Sequence, residues 1–258
     1  MSALVELQNV TKRFPLRTRQ FASKNAATLA AAEEVSFSIQ RGETFGLVGE
    51  SGCGKTTIAN LLLKLILPDG GKILFDGQDI SGLKSYKELY PLRRNIQAVF
   101  QNSGSSLDPR MSLEDIITEP LKNYHLPTEG QAEKYLDLVG LSPQWAKRKP
   151  AQLSGGQRQR VSIARAMILH PSFLILDEAT SNLDVITTRQ IMKLMQHLYE
   201  EHNIAILFIS HDISLVDKFC MKKAVMKNGR IVELLDNKNF KEAQHPYTKQ
   251  LIESQLSC

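Results

Sequence analysis

Residues Gly49-Glu50-Ser51-Gly52-Cys53-Gly54-Lys55-Thr56 fit the spacing G-x-x-x-x-G-K-T, and Thr57 follows. Glycines at those offsets let backbone N–H groups converge on one point. The lysine reaches across with a cation, and the hydroxyl beside it can enter a magnesium shell. That is equipment for gripping a polyphosphate. A second group, Asp177-Glu178, closes the apolar run Phe173-Leu174-Ile175-Leu176. Its first carboxylate suits a Mg²⁺ shell, and its second suits orienting or deprotonating a water. A third group, Leu153-Ser154-Gly155-Gly156-Gln157, opens a helical pattern (Val161, Ala164, Arg165, Ile168) and offers a second helix N-terminus to an anion. One nucleotide cannot easily use both termini within one fold, which points to two copies paired face to face.

Each group needs an element to carry it. Thr44-Phe45-Gly46-Leu47-Val48 reads as a buried strand leading into the glycine loop. Ile58, Leu61, Leu62, Leu65 and Ile66 then recur at helical spacing until Pro68-Asp69-Gly70-Gly71 ends the pattern. Phe173–Leu176 and Ile204–Ile209 read as further buried strands, with a helix marked by Ile191, Leu194, Met195 and Leu198 between them. Buried strands alternating with amphipathic helices define an α/β fold with a mainly parallel sheet. Ligands of such sheets bind beyond the carboxyl ends of the strands, so Asp177 and Glu178 are expected at the same edge as the phosphate loop.

Around this core, Leu4–Val10 and Val35–Ile39 alternate as half-buried antiparallel strands. Pro15 to Glu34, polar and alanine-rich, reads as an extended hairpin loop or short helix. Lys72–Gly77 is a strand and turn. Asn228-Gly229 marks a hairpin between Ala224-Val225-Met226 and Ile231-Val232. Between residues 102 and 150, helical patterns (Leu113, Ile116, Ile117; Tyr135, Leu136, Val139) alternate with Pro109, Pro120, Pro127, Pro143 and Pro150. This texture predicts a small helical insertion with proline-punctuated loops.

At 258 residues, with 42% hydrophobic and 23% charged, the chain has the make-up of one large globular domain. No apolar run approaches the ~20 residues of a membrane helix, and no charged segment followed by an apolar one predicts a secretory leader. Cys53, Cys220 and Cys258 lie far apart, without metal-ligand spacing, and suggest reduced thiols in a cytosolic setting. The net charge of +5 is scattered, its clusters Arg17/Arg19 and Lys147-Arg148-Lys149 too short for a nucleic-acid tract, so a solvated surface is expected. The histidines show no zinc-binding spacing.

Taken together, these groups resemble the ATP-binding subunit of an ABC transporter over nearly the whole chain. On that resemblance the Walker A motif is Gly49–Thr56, the Q-loop glutamine is Gln101, the signature is Leu153–Gln157 and Walker B is Phe173–Asp177. Glu178 is then the catalytic carboxylate, Ser181-Asn182-Leu183-Asp184 the D-loop and His211 the switch histidine. Phe14 matches the adenine-stacking aromatic. The implied fold is a P-loop NTPase (RecA-like) core with an antiparallel β subdomain and a small helical subdomain. Residues 1–100 and 151–235 would form the core, 101–150 the helical part and 236–258 a tail.

The implied cofactors are ATP and Mg²⁺, the metal held by Thr56, Gln101 and Asp177. Gly49–Thr57, Phe14 and Gln101 would bind ATP. Ser154, Gly155, Gly156 and Gln157 would act on the ATP of a second ABC ATPase subunit, and Asp184 would signal across the dimer. Two transmembrane permease subunits and, indirectly, an extracytoplasmic substrate-binding protein are the implied partners, at the cytoplasmic face of the inner membrane. Nucleic acid is not expected. A soluble ABC ATPase acting on nucleic acid or ribosomes is the competing reading. Its relatives carry two cassettes or a long coiled coil between Walker A and Walker B, and neither is present here.

Leu107-Asp108-Pro109-Arg110-Met111, Ile117-Thr118-Glu119-Pro120-Leu121 and His245-Pro246-Tyr247-Thr248 resemble the oligopeptide/dipeptide/nickel importer subfamily. Ala179 and Asn182 depart from its more usual Pro and Ala and are more similar to the nickel and metallophore-importing branch. Nickel or metal-chelate uptake is therefore the expectation, with oligopeptide or dipeptide uptake as the alternative.

Overall fold

The computed structural model describes residues 3–15, 28–101 and 107–256. They fall into two compact units, one formed by residues 1–89 with 207–258 and the other by residues 90–206.

The first unit begins with β1 (Val5–Pro15) and β2 (Thr28–Ile39), followed by β3 (Thr44–Val48), α1 (Lys55–Leu62), β4 (Gly70–Phe75) and the short β5 (Gln78–Asp79). Strands β2-β1-β4-β5 make an antiparallel sheet in that order. The register Val5↔Ile39, Leu7↔Phe37, Val10↔Val35 sets these six side chains on one buried face. It continues to Phe14↔Leu29 and Pro15↔Thr28, so Thr28–Glu34 is strand rather than loop or helix. Alanine favours helix when isolated, but here pairing with β1 supplies the backbone partners that Ala30-Ala31-Ala32 lack on their own. The rest of the expected loop, residues 16–27, lies outside the described residues, as does Cys258.

Every residue of β3 is buried. It runs parallel to β9 (Lys222–Lys227), from Phe45↔Lys222 to Val48↔Val225, which explains its unbroken apolar run. Gly46 is required by its neighbour: a Cβ there would stand 2.2 Å from Val216 Cγ1, on the helix Ile213–Phe219. Asn228 and Gly229, with φ 48 and 80, turn β9 into the antiparallel β10 (Arg230–Asp236). Positive φ at both turn residues is the geometry that matches strand twist.

The second unit holds β6 (Ile96–Phe100) parallel to β7 (Phe173–Asp177). Its helices are α3 (Leu113–Asn123), α4 (Gln131–Leu138), α5 (Gly155–Met167) and α6 (Val185–His202). Pro120 lies inside α3, not in a loop. A proline in a helix interior costs about 3 kcal/mol. Burial of Ile116, Ile117 and Leu121 contributes about 1.5–3 kcal/mol each and outweighs it.

Two elements join the units in sequence: α2 (Tyr86–Asn95) and β8 (Ala205–Ile209). Sequence periodicity missed α2 and β6. A signal for α2 exists in Ser85-x-x-Glu88, where Glu88 N donates to Ser85 Oγ (3.3 Å) and Ser85 N to Glu88 Oε2 (3.0 Å), a reciprocal cap. The chain ends in α7 (Ile213–Phe219), β9, β10 and α8 (Pro246–Leu256). Among the described residues no helix is long and apolar enough to cross a membrane.

Candidate active site

The phosphate loop follows β3 directly and ends in α1, as the sequence predicts. Gly49, Gly52 and Gly54 have φ 153, 82 and 113, values that side chains other than glycine rarely adopt. Two of these glycines also face close backbone. A Cβ on Gly49 would lie 2.2 Å from the Met226 carbonyl oxygen, and one on Gly54 2.0 Å from that of Ala31. Gly229 N donates to Cys53 O (2.9 Å), so the β9–β10 turn braces the loop. The Asn228-Gly229 turn is legible in the sequence, but that it, Ala31 and Met226 brace this loop is not.

Lys55 is 5% exposed, and its Nζ donates to Gly49 O (2.7 Å) and Glu50 O (2.9 Å). Its ammonium is thereby folded back over the loop. The Gly52 Cβ direction opens on space with nothing within 4 Å. Glu50, Ser51, Gly52 and Thr56 are exposed along it and Thr57 is half-buried. Cys53 is buried, and burial, against the pull of Lys55, pushes its thiol up.

Phe14 sits on β1 opposite Leu29, two residues from the Ala31 that touches Gly54. Its ring is exposed, with Lys12 Nζ 5.6 Å from the centroid. His211 follows β8 and is exposed. The adjoining Ser210 N donates to Leu47 O (3.3 Å), which brings His211 to the end of β3 where the loop begins.

In the second unit, the β6–β7 register ends at Phe100↔Asp177. Gln101 and Glu178 therefore leave the two strands side by side. Asp177 is buried, Glu178 half-buried and Gln101 exposed. Glu178 has φ 49, a left-handed conformation uncommon for a side-chain-bearing residue and found where surroundings over-determine the backbone. Its carbonyl accepts from Ser181 N (3.1 Å) and Ser181 Oγ (3.0 Å).

Ser154 caps α5: its Oγ accepts from Gln157 N (3.3 Å), and its own N donates to Gln157 Oε1 (2.9 Å). Asp184 caps α6, Oδ1 accepting from Ile186 N and Thr187 N, and Oδ2 from Thr187 Oγ1 (2.6 Å). The Thr187 hydroxyl and amide, in that order, hold the Asp184 carboxyl below its ordinary range. The same Thr187 presses on the signature, since a Cβ on Gly156 would stand 2.3 Å from Thr187 Cγ2. The structure thus joins Ser154–Gln157 to Asp184 through a residue outside every motif. The site residues form two sets, Phe14, Gly49–Thr57 and His211 in one unit and Gln101, Ser154–Gln157, Asp177, Glu178 and Asp184 in the other.

The sequence profile of the family described as ABC transporter matches residues 32–181. A probable peptide ABC transporter ATP-binding protein, y4tS, of Sinorhizobium fredii is 46% identical over 97% of this chain and 72% of its own length. The oligopeptide transport ATP-binding protein AppF of Bacillus subtilis is 44% identical, over 97% and 78%. The glutathione import ATP-binding protein GsiA of Pectobacterium atrosepticum is 45% identical over 96% of this chain, which spans 40% of it. Among solved structures, the dimeric post-hydrolysis state of the ATP-binding cassette MJ0796 with ADP and Pi superposes with TM-score 0.79 at 30% identity, over 91% of this chain and 99% of that one. A glycine loop between a buried strand and a helix, a P-loop NTPase cassette fold and these matches define an ATPase whose hydrolysis is coupled to transport. The chain belongs to the ABC transporter family and is an ATP-binding subunit within it.

Proposed function

We propose that the chain energises uptake of peptides through a permease, as a peripheral subunit at the cytoplasmic membrane face. The observation that carries the substrate class is that relatives 44–46% identical over nearly the whole chain bear peptide, oligopeptide and glutathione import names. They favour peptide import over the nickel or metal-chelate uptake suggested by Ala179 and Asn182. A second cassette and two permease subunits are the working partners, with a substrate-binding protein upstream, and residues 101–150 dock on the permease.

In this reading the Gly49–Thr57 cradle and Lys55 hold the phosphates of ATP while Phe14 stacks on the base. The donor chemistry fits Mg²⁺, a hard cation that prefers oxygen: Thr56 and Asp177, with Gln101, would hold it, and bound there it neutralises charge developing on the phosphates. Glu178 takes the proton of the attacking water. Gln101, leaving β6 beside it, orients that water, and His211 contacts the γ-phosphate. Ser154–Gln157 complete the site of the partner cassette, and Asp184 links the two sites. Because the signature gains contacts only when a γ-phosphate is present, closure has the differential affinity that a population shift requires.

The test is uptake into vesicles holding the chain with its permease. Labelled di- and oligopeptides and glutathione should accumulate with ATP, and nickel should not. ATP-driven nickel uptake without peptide uptake would reverse the substrate assignment.

A further inference from the structure

We propose that Gln255, in the last turn of α8, is a positioning residue for His211. The inference rests on the reading above that His211 contacts the γ-phosphate. The Gln255 side-chain amide works in both directions at once. Its Nε2 donates to the His211 carbonyl oxygen, and its Oε1 accepts from Ile213 N (3.0 Å). It therefore clamps the backbone on both sides of Asp212.

The rest of this turn is fixed from within. Asp212 N donates to Ser210 Oγ (3.0 Å), and Asp212 Oδ1 accepts from Leu215 N (3.0 Å). Ser210 is anchored to Leu47 at the end of β3. None of these bonds reaches the His211 carbonyl; Gln255 does. Holding that peptide plane fixes the Cα–Cβ direction from which the imidazole extends, and misplacement of a catalytic group by about 1 Å is enough to lose rate.

The clamp has a rigid base. Tyr247, Leu251 and Gln255 recur at i, i+4 and i+8 and so share one face of α8. Tyr247 and Leu251 are buried, and Lys227 Nζ stands 4.2 Å above the Tyr247 ring. Glu233 Oε1 accepts from Gln244 N (2.6 Å) and His245 N (3.2 Å) just before the helix starts. Burial foremost pushes the Tyr247 hydroxyl up, against the opposing pull of the Glu50 backbone. Helix α8 is thus anchored at its start by the buried Tyr247 and Leu251 and reaches the His211 carbonyl with its last turn, a single strut. His245-Pro246-Tyr247-Thr248, in the sequence only a mark of subfamily resemblance, is the foot of that strut.

The roles of anchor and positioner separate kinetically. The test uses the chain purified with its membrane partners and measures ATP turnover across ATP concentrations for Gln255→Ala, the bulk-preserving Gln255→Met, His211→Ala and the double variant. Both Gln255 variants should lower kcat about fivefold, the scale of losing hydrogen bonds that fix a catalytic group, with KM for ATP unchanged. In the His211→Ala background, Gln255→Ala should have no further effect on kcat, because the two act as one unit. Wild-type turnover in His211→Ala would remove His211 from catalysis, a failure of the underlying reading. Impaired His211→Ala with normal kcat in Gln255→Met, or a further loss in the double variant, would overturn the positioning role alone. Should Gln255→Ala fail to fold, Gln255→Met carries the same comparison.

Discussion

Phe100 of β6 and Asp177 of β7 stand opposite each other at the ends of two parallel strands. The residue just past each strand is one proposed for the site, Gln101 after β6 and Glu178 after β7. Neither depends on a long side-chain reach for its place, because the ladder delivers both. The φ of 49 at Glu178 then turns its side chain out of the strand path.

Glu178→Gln preserves size and the Ser181 bonds to its carbonyl while removing the basic oxygen. Nucleotide affinity should be retained and steady-state turnover should fall by about 10²-fold or more, as expected for a lost general base. Phosphate release and fluorescent-nucleotide titration read the two quantities. Turnover at the wild-type level would remove Glu178 from this role.

Much of this was visible in the sequence because it rests on local chemistry. The glycine loop, the buried runs before it and before Asp177, and the Asn228-Gly229 turn are each written in adjacent residues, and the folded elements match them. What escaped notice depends on partners distant in sequence. The arm Thr28–Glu34 is strand because β1 pairs with it, and Pro120 stays helical because Ile116, Ile117 and Leu121 are buried beside it. Thr187 lies outside every motif, yet it touches Gly156 and holds Asp184. Contacts of this kind leave no periodic trace.

Lys55→Ala should abolish measurable ATP binding, since the ammonium of the glycine loop disappears. The folded chain should survive, because among the described residues Lys55 Nζ bonds the loop's own carbonyl oxygens and, at 3.8 Å, the Cys53 thiol. Circular dichroism with calorimetric titration of ATP checks both. Unchanged nucleotide affinity would contradict the assignment of the loop.

Gly156→Ala places a methyl against Thr187 Cγ2, at 2.3 Å before relaxation. Overpacking of this kind costs about 1–3 kcal/mol. Thr187→Ser removes the opposing methyl and keeps the hydroxyl that bonds Asp184. Thermal melting should therefore show a loss in Gly156→Ala that is partly restored in the Gly156→Ala/Thr187→Ser pair. No restoration would mean that the signature and the α6 cap are not packed as described.

His170 shares a hydrogen bond with the Tyr135 hydroxyl (3.1 Å), a group that burial pushes up to about 12. Burial first, then the neighbouring His202, Lys134 and Arg94, lowers the His170 pKa from the ordinary 6.5. The unfolded chain therefore binds a proton more readily than the folded one. Stability should be unaffected by this group above 6.5 and should decline as pH falls through and below that value. Melting temperatures followed from pH 7.5 down to about 5.5 should drop more steeply in the wild type than in His170→Asn. Parallel curves would show that His170 is not the cause.

In the proposed function a second cassette would supply half of each hydrolytic pocket, and pairing on ATP tests this most directly. Glu178→Gln, incubated with ATP and Mg²⁺, should sediment at twice the 29.0 kDa of one chain, and Ser154→Arg in the same background should return it to the single mass. A Glu178→Gln chain saturated with ATP that stays at the single mass would contradict the paired site.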